Sequence, residues 1–166
     1  GFLKAEGYST AVVGKWHLGL SWEKAVSGEQ KAVDLLAPLT AGPATIGFDY
    51  FNGITASLDI PPYLWIENNK ATATSIDTIA ERTGKGFWRR GPVGNDFKHE
   101  DVLPKIIDRS TAYIKEQAAA RKPFFLYIPL TSPHTPILPT SEYTGRSGTN
   151  EYGDFTVMTD DLVKRV

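Results

Sequence analysis

The chain contains no cysteine, and that absence removes thiol nucleophiles, thiolate zinc sites and disulfide frameworks in one step, while leaving the compartment open. A basic block is also missing: 18 Lys and Arg stand against 19 Asp and Glu, for a formal charge of −1. Nucleic-acid binding draws its affinity from clustered cations that release counterions, so no nucleic-acid partner is expected. No apolar run approaches the roughly 20 residues that cross a bilayer; the longest lies around Phe124 to Leu130. The first residues lack the charged-then-apolar pattern of an export signal. Neither a membrane span nor a signal peptide is expected, and no internal repeat or low-complexity tract is present.

What is there describes one ordinary domain. The 166 residues are 41% hydrophobic and 11% aromatic, and a compact chain of this size buries roughly 70% of the surface its unfolded form exposes, enough for a core without staples. The 15 Gly and 11 Pro gather in stretches that read as long ordered loops on a scaffold, where sites usually sit.

Both ends read as cut. Gly1 to Gly7 looks like the last turns of a helix closed by a C′ glycine, and the chain stops at Val166 inside an apparent helix with Phe155, Met158, Leu162 and Val166 at helical spacing. The chain is therefore expected to be an internal segment of a longer domain. Between the ends, Tyr8–Val13, Phe48–Phe51 and Tyr63–Ile66 are β-rich runs. Asp101 is a candidate N-cap for an amphipathic helix carrying Val102, Leu103, Ile106, Ile107, Tyr113 and Ile114 and running to about Ala120. Arg121-Lys122-Pro123 ends it. The apolar run Phe124–Leu130 then predicts a strand buried on both faces. Helix, strand, loop, helix implies an α/β layered domain.

Two segments carry chemistry. In Gly7-Tyr8-Ser9-Thr10-Ala11-Val12-Val13-Gly14-Lys15-Trp16-His17-Leu18-Gly19, strand alternation would point Lys15 and His17 to one side and Trp16 to the other, into the core, a geometry suited to an anion. A Walker phosphate loop is rejected, because six residues separate Gly7 from Gly14 and Trp16, not Ser or Thr, follows the lysine. The second segment, Thr131-Ser132-Pro133-His134-Thr135-Pro136, follows the predicted strand at the end where open α/β sheets bind ligands. There His134 could protonate a leaving oxygen near neutral pH.

The first segment resembles the second signature of the type I sulfatases, and Pro123 to Pro139 (PFFLYIPLTSPHTPILP) is similar to the histidine-bearing strand and loop of that family. Gly47–Gly53 and Ser57–Tyr63 resemble further arylsulfatase segments, in the right order. The resemblance implies an alkaline-phosphatase-like fold of a layered sheet with flanking helices, with residues 1–166 an internal part of the N-terminal catalytic domain, truncated at both ends. It also implies a hydrolase of sulfate esters acting through a formylglycine hydrate held on calcium. By resemblance Lys15 bridges sulfate and formylglycine, His17 helps release sulfate by deprotonating the geminal diol, and His134 contacts sulfate and protonates the leaving alcohol. The family's Cys/Ser-x-Pro-Ser/Ala-x-x-x-Thr-Gly-Arg motif, its paired aspartate and its Asp-Asn-Gly metal segment are absent. The nucleophile and the calcium ligands are thus expected outside this chain, and no metal ligand is assigned within it. The expected partner is a sulfated small molecule or glycan, in a periplasmic, secreted or lysosomal setting.

Other readings compete. Asp160-Asp161 reads as a solvated helix face before it reads as a metal pair. His99 is expected as a surface histidine, and Arg89-Arg90 as a solvated loop. A zinc site built from His17, His99 and His134 is chemically allowed, but the three show no local ligand motif. The alternative class is a non-catalytic domain that binds sulfate, other anions or sulfated glycans through the same cationic pocket.

Overall fold

The structure, a computed structural model, describes residues 1–22 and 33–166. The elements in chain order are α1 (Phe2–Ala5), β1 (Ser9–Lys15), β2 (Ser21–Trp22), β3 (Leu39–Ala41), β4 (Tyr50–Ile54), β5 (Trp65–Glu67), β6 (Lys70–Ala71), β7 (Ile76–Ile79), β8 (Gly91–Gly94), α2 (Val102–Ala120), β9 (Phe124–Tyr127) and α3 (Glu151–Val163). The main sheet has the order β6-β5-β4-β1-β9. Its strand β1 runs parallel to both neighbours, β4 and β9, whereas β5 and β6 add antiparallel to the far side. Two small antiparallel pairs, β2 with β3 and β7 with β8, stand apart from it.

The layering follows from which face each strand offers. Val13 and Ile54 turn one face toward Val102 and Ile106 of α2, joined by Tyr63, Trp65, Trp88 and Phe97. Val12, Phe51, Leu64 and Ile66 turn the other face toward Trp16, Leu39 and Leu20. On its outer side α2 packs Leu103 and Ile107 against Phe155, Met158 and Leu162 of α3. The α/β layered class is thus observed. No described helix is long and apolar enough to cross a membrane.

Several elements differ from the sequence reading. Asp101 does not cap α2 with its side chain; a 3-10 turn over His99–Asp101 runs straight into the helix. At the other end Arg121 stops the helix in the left-handed conformation, as expected for the Arg121-Lys122-Pro123 break. The strand predicted over Phe124–Leu130 ends at Tyr127 and is not buried on both faces: Phe124 and Leu126 are half-buried, and Phe125 and Tyr127 are 42% and 44% exposed. The reason is its place: β9 is an edge strand, and α2 covers just one face of the sheet there. At the C-terminus α3 ends at Val163, so Val166 lies outside it and is exposed, while Phe155, Met158 and Leu162 are buried. The strand expected from Phe48 starts at Tyr50, because Asp49 is turned aside: its carboxylate accepts from the Thr10 N–H at 2.9 Å and the Thr10 hydroxyl at 3.0 Å. The first helix closes as read, with Gly7 at φ +83° after the helix end.

Candidate active site

The exit of β1 is zipped on both sides. The Lys15 N–H donates to the Pro129 carbonyl at 2.8 Å, and the Trp16 and His17 N–H groups donate to the carbonyls of Ile54 and Thr55 at 3.0 and 3.1 Å. Only glycine fits such a squeeze. A Cβ on Gly14 would meet the Pro129 carbonyl oxygen at 2.3 Å, and one on Gly53 would meet the Gly14 carbonyl oxygen at 1.9 Å. Trp16 anchors the exit as expected: it is buried, packs against Phe48 and Phe51, and its indole N–H donates to the Gly19 carbonyl at 2.9 Å.

Lys15 is the last residue of β1 and is half-buried. His17 is exposed and no longer in the strand; its φ of +55° is in the left-handed region, at a cost of about 1–3 kcal/mol for a residue with a Cβ. The alternation that would align it with Lys15 therefore does not reach it. Its orientation comes instead from Ser57, whose N–H donates to Nδ1 of the ring at 3.1 Å. With that lone pair engaged, the neutral imidazole carries its proton on Nε2. Proton abstraction by His17 would require Nδ1 to give up Ser57. His134 is exposed in the loop after β9, with Nδ1 2.6 Å from the carbonyl oxygen of Thr135. A carbonyl can only accept, so Nδ1 holds the proton and the free lone pair is at Nε2.

Lys15 and His17 thus leave the C-terminal end of β1, and His134 follows the C-terminal end of the adjacent parallel strand β9. The Lys15–Pro129 hydrogen bond ties the two exits together. A small cleft of about 200 Å³ beside His17 is lined by Leu20, Trp22, Thr55 and Pro62, and does not include Lys15 or His134.

The remaining candidates are placed differently from expectation. His99 is not a surface residue: it is 3% exposed, stacked on Trp88 with centroids 4.0 Å apart, because the 3-10 turn before α2 directs it inward. Burial pushes its pKa down to about 4, so it is neutral. Arg89 is not a free loop cation, since its guanidinium donates to the Asp59 carboxylate at 2.7 Å and the Asp59 carbonyl at 3.1 Å. Arg90 is exposed. Asp160 and Asp161 form ion pairs on the surface of α3, with Lys164 and with Lys164 and Arg146 respectively. Among the described residues no three His, Cys, Asp or Glu side chains gather as a metal site, so the three histidines do not form a zinc site and no calcium site is assigned to these residues. Sequence reasoning assigned no role to Ser57 or Asp59. Each meets its partner across 40 and 30 residues respectively, a separation that leaves no local pattern.

Comparison with known proteins puts this geometry in context. The family model described as Sulfatase matches residues 1–166. An N-acetylgalactosamine-6-O-sulfatase from Bacteroides thetaiotaomicron is 27% identical over 192 residues, covering 95% of this chain and 36% of that protein. An N-acetylgalactosamine-6-sulfatase from Sus scrofa is 26% identical, covering 99% of this chain and 27% of its own length. Among solved structures, a Bacteroides thetaiotaomicron protein described with the metabolism of multiple glycosaminoglycans superposes with a TM-score of 0.77 at 26% identity, over 98% of this chain and 39% of that one. A Pseudoalteromonas sulfatase at 20% identity and a TM-score of 0.62 shares the fold. The chain therefore spans between about a quarter and two fifths of the length of these relatives.

Proposed function

Because the chain belongs to the sulfatase family, we propose that it forms part of the catalytic domain of an enzyme that hydrolyses sulfate esters, with Lys15, His17 and His134 around the sulfate. The observation that carries this reading is the shared exit of β1 and β9, tied by the Lys15–Pro129 hydrogen bond. A desolvated sulfate needs cationic and N–H donors, and Lys15 with the Nε2–H of His17 supplies them. A poor alkoxide leaving group needs a proton, and His134, once protonated at Nε2, delivers one while Nδ1 stays bound to Thr135. A formylglycine hydrate on calcium, which the family resemblance implies, would supply the attacking oxygen from residues outside this chain. The relatives named for N-acetylgalactosamine 6-sulfate make a 6-sulfated amino sugar within a glycan the first substrate class to test. An exported or lysosomal setting suits such a substrate.

The test separates charge stabilisation from proton transfer, using the full-length gene product and a series of esters from acidic phenols to alkyl alcohols. His134→Ala should slow the alkyl esters by about 10²- to 10⁴-fold and the phenol esters far less, because a good leaving group hardly needs a general acid. Lys15→Ala should slow all esters alike, having lost a contact to the sulfate they share. Uniform sensitivity of His134→Ala across the series would remove the acid role. Sulfate binding without turnover by the full-length protein would favour the non-catalytic, anion-binding alternative.

A further inference from the structure

Residues 55–64 connect β4 to β5 with no regular secondary structure beyond an isolated bridge at Tyr63, yet this segment orients His17. Two of its residues are pinned by hydrogen bonds, and Leu58 between them is packed with Tyr63, Trp88 and Phe97 in the core. Ser57 donates its N–H to Nδ1 of His17. The Asp59 carbonyl accepts from the Arg89 N–H at 3.3 Å and from its guanidinium at 3.1 Å, and the Asp59 carboxylate takes the same guanidinium at 2.7 Å. All three residues are buried.

We propose that Arg89 is a positioning residue for His17, acting through Asp59 and, two residues before it, Ser57 to hold its imidazole with the proton on Nε2. This assignment rests on the reading of His17 as a sulfate-site residue only for its consequence, not for its geometry.

The surroundings of Asp59 support the proposal. Its buried carboxylate takes the Arg89 guanidinium, and the same guanidinium reaches the Asp59 carbonyl, so one side chain holds both the backbone and the side chain of that residue. Arg89 is no free cation at this point of the chain. Its own backbone is fixed in turn, because the Tyr63 hydroxyl donates to the Arg89 carbonyl at 2.7 Å. The segment is thus clamped by Arg89, two residues from the N–H that selects the tautomer of His17.

The 166-residue chain is suited to the test, because it has only three histidines and each gives its own imidazole signals in long-range ¹H–¹⁵N spectra. Wild type should show His17 in the Nε2–H form. In Arg89→Ala, whose side chain is 53% exposed, the His17 nitrogens should move toward a tautomer mixture, and the Ser57 amide should exchange with solvent at least about tenfold faster. The His134 signals should stay put. Arg89→Lys, which keeps a cation for the Asp59 carboxylate, should restore most of both, and Asp59→Asn, which weakens the same pair from the other side, should give the same two changes and decides the question where Arg89→Ala does not fold. Unchanged His17 nitrogens and Ser57 exchange in a folded variant would overturn the proposal. Neither readout involves sulfate, so absence of sulfatase activity would leave this result intact, and the two failures are distinguishable.

Discussion

Ser57 donating to Nδ1 of His17 and Nδ1 of His134 donating to Thr135 hold the protons of these imidazoles on opposite ring nitrogens. Neutral His17 therefore presents an N–H, and neutral His134 a lone pair. One suits a permanent donor to an anion; the other suits a group that must first take up the proton it later gives away. The third histidine differs from both by burial. His99 is neutral with its pKa pushed down to about 4 by desolvation against Trp88, Tyr63 and Phe97. In the unfolded chain it titrates near pH 6.5. As pH falls from about 6.5 toward 4, the unfolded state takes up a proton that the folded state refuses, so stability is lost across that window and the loss levels off below it. The shift amounts to about 3 kcal/mol at most. The carboxylates whose pKa values are lowered by partners, such as Asp154 held by the N–H groups of Ser147 and Gly145, lose their contribution at lower pH. Urea midpoints measured between pH 7 and 4.5 should thus fall for wild type and stay nearly flat for His99→Phe. Parallel curves for the two would show that His99 titrates normally.

At the scale of elements, the close approach of β1 to β4 and to the chain leaving β9 is what puts Lys15 beside the His134 loop. Gly53 faces Gly14 in register, and its missing Cβ leaves room for the Gly14 carbonyl. Because the obstacle is backbone in the middle of a sheet, Gly53→Ala cannot be absorbed by a side-chain shift. It should cost more than about 3 kcal/mol, measured as a drop in urea midpoint. Asn150→Ala, at the start of α3, removes the side-chain oxygen that accepts from the N–H groups of Tyr152 and Gly153, and should cost only about 1 kcal/mol. A reversed ranking of these two variants would contradict the packing described. Elements held by local signals are legible in the sequence: the apolar spacing of α2, the glycine after α1, and Trp16 as an anchor. The edge position of β9 is not. An apolar run reads the same whether one or both faces find cover, and only the sheet order decides. The pairs β2–β3 and β7–β8 likewise depend on contacts between distant short segments with little hydrophobic pattern of their own. In the candidate site Lys15, His17 and His134 are visible because motif types mark them, whereas Ser57, Asp59 and Arg89 act through backbone atoms that no motif records.

For the whole molecule, the question is what a chain with these groups can do by itself. It spans 36% of the Bacteroides thetaiotaomicron relative and 27% of the Sus scrofa one. In the proposed reading Lys15 stabilises charge and His134 moves a proton, but hydrolysis of a sulfate ester also needs an oxygen that attacks sulfur. The chain has no cysteine and no Cys/Ser-x-Pro-Ser/Ala-x-x-x-Thr-Gly-Arg segment from which the family's nucleophile is made. General acid help and anion contacts lower a barrier only once something makes the attack. The folded 166-residue chain should therefore bind an aryl sulfate weakly, with amide shifts near Lys15, His17 and His134, and release no more phenol than its His134→Ala variant, with or without added calcium. A turnover rate above that variant would mean that a nucleophile resides within residues 1–166, and the proposed division of labour would have to be redrawn around it.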